Sequence, residues 1–197
     1  MRTILDHLKI NYVEVAGEAA FYGPKLDIQF KNVHGKEDTI ITVQIDFALA
    51  ERLGMSYIDK NGDKQIPFVI HRSSIGCYER TIAMLIEKYA GAFPTWLAPV
   101  QVKVLPLSDK YSDYAESVVK TLRNNGVSVE ADYRAEKIGY KIREARLERI
   151  PYILVVGEKE AANNEVSVRS RKNDDEGAVN LDSFMQRIVT EIANKEI

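Results

Sequence analysis

Pro94 and Pro99 bracket a short stretch, Ala92-Phe93-Pro94-Thr95-Trp96-Leu97-Ala98-Pro99, that also holds the only tryptophan. Each proline lacks a backbone donor and restrains the residue before it, so no continuous helix crosses this stretch. The patterning differs on its two sides. The 197 residues are therefore expected to divide near Ala98 into two small domains, 1–98 and 99–197.

The first part reads as sheet and then helix. From Lys25 to Phe30 the chain alternates strictly, with Leu26, Ile28 and Phe30 on one face and Lys25, Asp27 and Gln29 on the other. Ile41 to Phe47 alternates in the same way, with Thr42, Gln44 and Asp46 on its polar face. A turn at Asn32–Gly35 lets the two runs pair as an antiparallel hairpin, which merges their polar faces. Asp59–Gly62 is a further turn, and Phe68–Ile70 is a short strand ending at His71 and Arg72. Tyr78 to Tyr89 has helical spacing, with Ile82, Leu85, Ile86 and Tyr89 as an inward stripe.

The second part alternates strand and helix. Strands are expected at Val100–Pro106, Val127–Ala131, Tyr152–Val156 and around Val166 and Val168. Helices are expected at Tyr111–Arg123, which Gly126 stops, at Lys137–Arg149 and at Leu181–Ala193. Repeats of this kind predict an α/β domain whose mainly parallel sheet is flanked by helices.

Three features could carry chemistry. The polar sheet face of Lys25, Asp27, Gln29, Thr42, Gln44 and Asp46 is either a solvated surface or the floor of a ligand cleft. Gly76 to Arg80 opens a helix, where backbone N–H groups favour anions. Arg80 lies in the first turn, badly placed for the helix dipole. It could pair with phosphate or stack on a purine, or be an ordinary surface arginine. Arg134, Lys137, Lys141, Arg143, Arg146 and Arg149 form a basic region, joined later by Arg169, Arg171 and Lys172. Tyr133 and Tyr140 lie within it. A solvated helix of mixed charge and an RNA-facing patch both fit that composition.

Composition excludes some classes. The net charge of -2 announces no nucleic-acid binder, so any basic surface must be local. The lone Cys77 allows no internal disulfide, and His71 with Cys77 makes no tetrahedral zinc site unaided. No apolar run reaches the length of a membrane span, and Met1–Asn11 lacks the apolar core of a secretory signal. A cytoplasmic protein is expected. No Ser-His-Asp arrangement or phosphate-binding glycine loop emerges.

Several segments resemble threonyl-tRNA synthetases, which are class II aminoacyl-tRNA synthetases. They are Ala20-Phe21-Tyr22-Gly23-Pro24-Lys25, Thr42-Val43-Gln44-Ile45-Asp46-Phe47 and Val69-Ile70-His71-Arg72, followed by Gly76-Cys77-Tyr78-Glu79-Arg80. The stretch from Ala90 to Gln101 and Glu136-Lys137-Ile138-Gly139-Tyr140-Lys141-Ile142-Arg143-Glu144 complete the set. The resemblance runs in order from about Ile4 to the carboxy terminus. It implies the end of an antiparallel-sheet catalytic domain followed by an anticodon-binding domain. The implied reaction joins threonine to tRNA(Thr) with ATP through threonyl-adenylate.

By matching position, Arg80 resembles the third-motif arginine that contacts ATP, and Tyr22, Lys25, Thr42, Gln44 and Cys77 line the ATP and threonine pocket. His71 resembles one of three zinc ligands; the other two lie upstream of this chain in the family, as do the first two class II motifs and the editing domain. Lys137, Glu160 and Arg169 match positions near the anticodon bases. The implied cofactors are ATP with Mg2+ and Zn2+, and the parent enzyme is expected to be a homodimer. Thr39 and Ile41 stand where some members carry glutamine and glycine, Cys77 where serine is common, and Ala135 where some carry asparagine. The expectation is a carboxy-terminal fragment that binds tRNA without aminoacylating it. The alternative is a non-catalytic, stand-alone tRNA-binding or protein-interaction module.

Overall fold

The computed structural model describes residues 1–197 and separates them into two compact units, Met1–Lys88 and Tyr89–Ile197. The first begins with helix α1 (Arg2–His7), followed by strands β1 (Lys25–Lys31) and β2 (Glu37–Asp46). Helix α2 (Leu49–Arg52), a two-stranded ribbon of β3 (Tyr57–Ile58) and β4 (Lys64–Gln65), strand β5 (Val69–Arg72) and helix α3 (Tyr78–Tyr89) complete it. Strands β1, β2 and β5 form one antiparallel sheet in the order β1-β2-β5.

The β1–β2 hairpin has a local cause. Asn32 Oδ1 accepts the N–H groups of His34 at 3.0 Å and Lys36 at 3.1 Å, and Gly35 takes the positive φ of 76° that the turn requires. Register then places Lys25 opposite Gln44 and Asp27 opposite Thr42. Between Ile28 and Gln29 the register shifts, and Ile40 is left without a partner in β1.

The apolar face of this sheet is not buried within the unit. Ile28, Ile70 and Phe68 are exposed, and Leu5 and Ala50 are the unit's buried hydrophobics. The stripe on α3 is likewise open: Ile82 is 53% and Ile86 47% exposed, against the expectation that they face inward. Helical spacing put them on one side, but nothing in this unit packs over that side.

The second unit is built differently. Its order is β6 (Val102–Pro106), α4 (Ser112–Asn124), β7 (Val129–Ala131), α5 (Ile138–Leu147), β8 (Tyr152–Val156), α6 (Glu158–Asn163), β9 (Glu165–Ser170), β10 (Asp174–Asn180) and α7 (Leu181–Ala193). The sheet runs β10-β9-β8-β6-β7. Strands β7, β6 and β8 are parallel, whereas β9 and β10 join antiparallel. The α/β architecture is the one expected, and the sheet is mixed rather than mainly parallel. Short connections cause this: the brief helix α6 and a tight turn after Ser170 return the chain beside the strand it has just left.

Two apolar clusters hold this sheet. On one face Val118 and Leu122 of α4 and Phe184 and Ile188 of α7 cover Val104, Leu154, Val166 and Val168. On the other, Ala145 of α5 packs on Leu105 and Ile153 with Ile150. The unit begins at Tyr89, earlier than the division expected near Ala98. Side chains explain the difference. Thr95, in the 3-10 turn Thr95–Leu97, bonds Glu191 of α7, and Arg171 donates to the carbonyl oxygen of Phe93.

Candidate functional site

In the first unit the polar sheet face becomes a definite row. Lys25 on β1, Gln44 on β2 and His71 on β5 are successive cross-strand partners. Tyr22, just before β1, donates from its hydroxyl to Gln44 Oε1 at 2.6 Å, and its ring lies 5.9 Å from that of His71. Beside the row, Asp27 accepts from Lys25 at 2.7 Å and from Thr42 at 2.7 Å. Partial burial works against the Asp27 carboxylate, but these bonds outweigh it and hold its pKa below the usual range. The expected residues Tyr22, Lys25, Thr42, Gln44 and His71 thus share one face.

Asp46, named in sequence only as part of the polar face, organises the end of this row. Its Oδ2 lies 3.0 Å from His71 Nε2, and its Oδ1 accepts the N–H groups of Ala48 and Leu49 at 2.9 Å. The bond with His71 is the main cause that holds its carboxyl below the ordinary range. With Nε2 engaged, the other ring nitrogen of His71 is left to face a ligand. The chain brings together no group of three His, Cys, Asp or Glu residues that could hold a metal ion. His71 could supply one ligand only, and Cys77 is turned to Glu79, its thiol 3.0 Å from Oε2.

The turn before α3 is braced against the irregular part of β2. Arg80 Nη1 donates to the carbonyl oxygen of Thr39 at 2.7 Å. Gly76 has a φ of 68°, and a Cβ there would lie 1.9 Å from the carbonyl oxygen of Ile40. Only glycine fits this approach. The bulged residue and the Gly76–Arg80 turn are therefore one feature.

In the second unit Lys137 immediately precedes α5, so it leaves the carboxyl end of β7. Glu160 lies in α6, which leaves the carboxyl end of β8, and its Oε2 accepts the Gly157 N–H at 3.0 Å. Open α/β sheets bind ligands at this end. Arg169 on β9 pairs opposite Ile153 and shares the α5 face of the sheet, since its neighbour Val168 is buried on the other. No bond links these three residues to one another.

The basic region is partly neutralised from within. Arg134 binds Asp132 and Glu144, Arg146 binds Asp174, Arg169 binds Asp175, and Lys141 is buried against the carbonyl oxygen of Asp132. The Arg134 bond is the main cause that lowers the Asp132 carboxyl to about 2. The exposed side chains of Lys137, Arg143, Arg149 and Lys172 have no partner. Tyr133 and Tyr140 are 46% and 47% exposed, so both rings can reach a ligand. A cleft of about 830 Å³ beside β7 is lined by Glu130, Asp132, Glu144 and Glu148 with Lys103 and Arg134, a balance ill suited to phosphate.

Residues 1–89 match the family model described as the tRNA synthetase class II core domain (G, H, P, S and T), and residues 101–191 match the anticodon binding domain. Threonine--tRNA ligase of Clostridium botulinum is 83% identical over 196 residues, which is 100% of this chain and 30% of that protein. The Clostridium perfringens ligase is 78% identical with the same coverage, and that of Geobacillus kaustophilus is 50% identical over 99% of this chain. The chain thus spans about a third of the length of these curated relatives. Among solved structures, the RNA binding domain of threonyl-tRNA synthetase from Cryptosporidium parvum Iowa II has a TM-score of 0.82 at 35% identity, covering 96% of this chain and 48% of that one. Prolyl-tRNA synthetase from Cryptosporidium parvum shares the fold at a TM-score of 0.66 and 19% identity, over 92% of this chain and 44% of that one. With both units matched and the identity so high across the full chain, this protein belongs to the threonine--tRNA ligase family of class II aminoacyl-tRNA synthetases.

Proposed function

We propose that this chain supplies the anticodon-binding domain of a threonine--tRNA ligase together with one wall of its ATP and threonine pocket. The parent reaction joins threonine to tRNA(Thr) through threonyl-adenylate. The chain by itself binds tRNA and does not aminoacylate. The observation that carries this reading is the contrast between the units. The second has two packed clusters and an exposed end bearing Lys137 and Glu160, whereas the first leaves an apolar sheet face open.

In the parent enzyme the Tyr22–Gln44 pair fixes hydrogen-bonding groups on rigid strands, where they can orient threonine. Arg80 is held at the Gly76 turn and stabilises charge developing on the ATP phosphates, with Mg2+ as their counter-ion. His71 would supply one ligand to a zinc ion, with the remaining ligands from outside this chain, and the ion would supply Lewis-acid recognition of threonine. Asp46 keeps the His71 ring in one orientation. Glu160 and Arg169 contact anticodon bases, and Lys137 lies near them. The parent works as a cytoplasmic homodimer. Calorimetric titration of the 197-residue chain with a threonine anticodon stem-loop tests the reading. Micromolar binding without threonylation is expected; threonylation free of host synthetase, or no RNA binding, overturns it.

A further inference from the structure

Arg169 is held by a device that the proposed contact with RNA does not itself require. Its guanidinium Nη2 donates to Oδ2 of Asp175, its cross-strand partner on β10. The other oxygen of Asp175 accepts the Gly177 N–H at 3.1 Å. The β9–β10 register shifts between Asp175 and Gly177, and Gly177 takes a φ of 80°. This is a β-bulge, which re-aims the side chain beside it. Both carboxylate oxygens are thus committed, one to the bulge and one to Arg169.

A second carboxylate closes the arrangement. Asp174 Oδ1 lies 3.8 Å from Arg169 Nη1 and is bound by Arg146 of α5. Asp174 has a positive φ of 60°, so the turn that carries it is itself constrained. Arg169 is 27% exposed, and only part of its five-donor fork is used, so N–H groups remain to meet a ligand. An arginine on a free surface samples many rotamers, whereas this one is fixed from two sides.

We propose that Asp175, locked by the bulge at Gly177, is a positioning residue for RNA recognition, holding the Arg169 guanidinium in one orientation on the α5 face of the sheet. The inference rests on the reading of Arg169 as an RNA contact. It predicts that removing a negative charge weakens RNA binding, the opposite of what simple electrostatics gives.

The test is anisotropy titration of the full chain with a threonine anticodon stem-loop at several salt concentrations. Asp175→Ala is expected to weaken binding about tenfold, in the range that mispositioned contacts cost, with an unchanged salt slope. Asp175→Asn, whose single amide oxygen can still accept from Gly177 while its NH2 group faces Arg169, is expected to weaken binding as Asp175→Ala does, which separates the contact with Arg169 from the bulge. In the Arg169→Ala background Asp175→Ala is expected to have no further effect. Without RNA, the Arg169 Nε–H signal in NMR spectra should be single and sharp, and should broaden in Asp175→Ala while other signals stay put. If Asp175→Ala binds equally or more tightly while Arg169→Ala weakens binding, the positioning role is overturned and the contact stands. If Arg169→Ala leaves affinity unchanged, the contact reading itself fails and takes this proposal with it.

Discussion

The ammonium of Lys141 donates to the main-chain oxygen of Asp132 at 2.9 Å, and Lys141 is only 4% exposed. The bond ties the middle of α5 to the loop that leaves β7, the loop that ends at Lys137. A buried ammonium is tolerated there because the Asp132 carboxylate is also close. Lys141→Met keeps the stem but leaves the carbonyl without its donor. The second unit should lose about 1–3 kcal/mol. Trp96, the only tryptophan, lies in that unit, so urea unfolding followed by its fluorescence measures the change.

The same loop sets a pH dependence. Asp132 has a folded pKa of about 2, below its unfolded value near 3.8, because Arg134 bonds the charged form. A lowered carboxyl stabilises the fold above the unfolded value and loses that contribution as pH falls through the folded one. Stability of the second unit should therefore decline between 3.8 and about 2. Arg134 is half exposed and screened, which keeps the loss on the order of 1–2 kcal/mol. Asp132→Asn should flatten this limb in urea titrations across that range; an unchanged limb counts against the assignment.

Gly76→Ala should disrupt the turn before α3. The added methyl carbon meets the Ile40 carbonyl oxygen in a backbone of positive φ, so either the turn or β2 must shift. A destabilisation of about 2–4 kcal/mol is expected for such a clash. The Arg80 bond to Thr39 should be lost with it, and backbone amide shifts along β2 would register the change.

RNA binding should depend on salt only moderately. Arg134, Arg146 and Arg169 are neutralised internally, which leaves Lys137, Arg143, Arg149 and Lys172 for phosphates. Four such contacts on a single strand give a slope of about -3 in log affinity against log salt. Affinity should then drop about fifty-fold between roughly 50 and 200 mM salt. A slope near twice that value would mean that the paired arginines open on binding.

Hydrogen exchange should separate the units. Amides of β6, β8 and β9 lie over packed apolar clusters and should exchange only on global unfolding. Those of β1, β2 and β5 have an open apolar face and should exchange much faster. Mass-spectrometric exchange on the intact chain reads both at once, and equal protection would contradict the difference in packing.

Much of this was readable from local pattern. The strict alternation of β1, the Asn32 turn and the Leu181–Ala193 helix arise from interactions a few residues apart, and each appears where the spacing put it. Strand β10 was not readable. Its Asp174-Asp175-Glu176-Gly177 opening has poor strand propensity, and only the ladder to β9 makes it extended. Helix α6 is too short to show a period.

The site divides in the same way. Sequence alternation by itself placed Lys25, Thr42 and Gln44 on polar faces, because side-chain direction in a strand follows from position. Only tertiary structure set them in register with one another and with His71, since that depends on the turn and on a strand from much later in the chain. Likewise the sequence determined that Ile82 and Ile86 share one side of a helix, while packing alone decided that this side stays uncovered. Charge followed the same rule. A run of Lys and Arg is visible in any sequence, and the Asp132–Arg134 pair is local, but Asp174 and Asp175 cancel Arg146 and Arg169 through contacts that exist only once the sheet has formed.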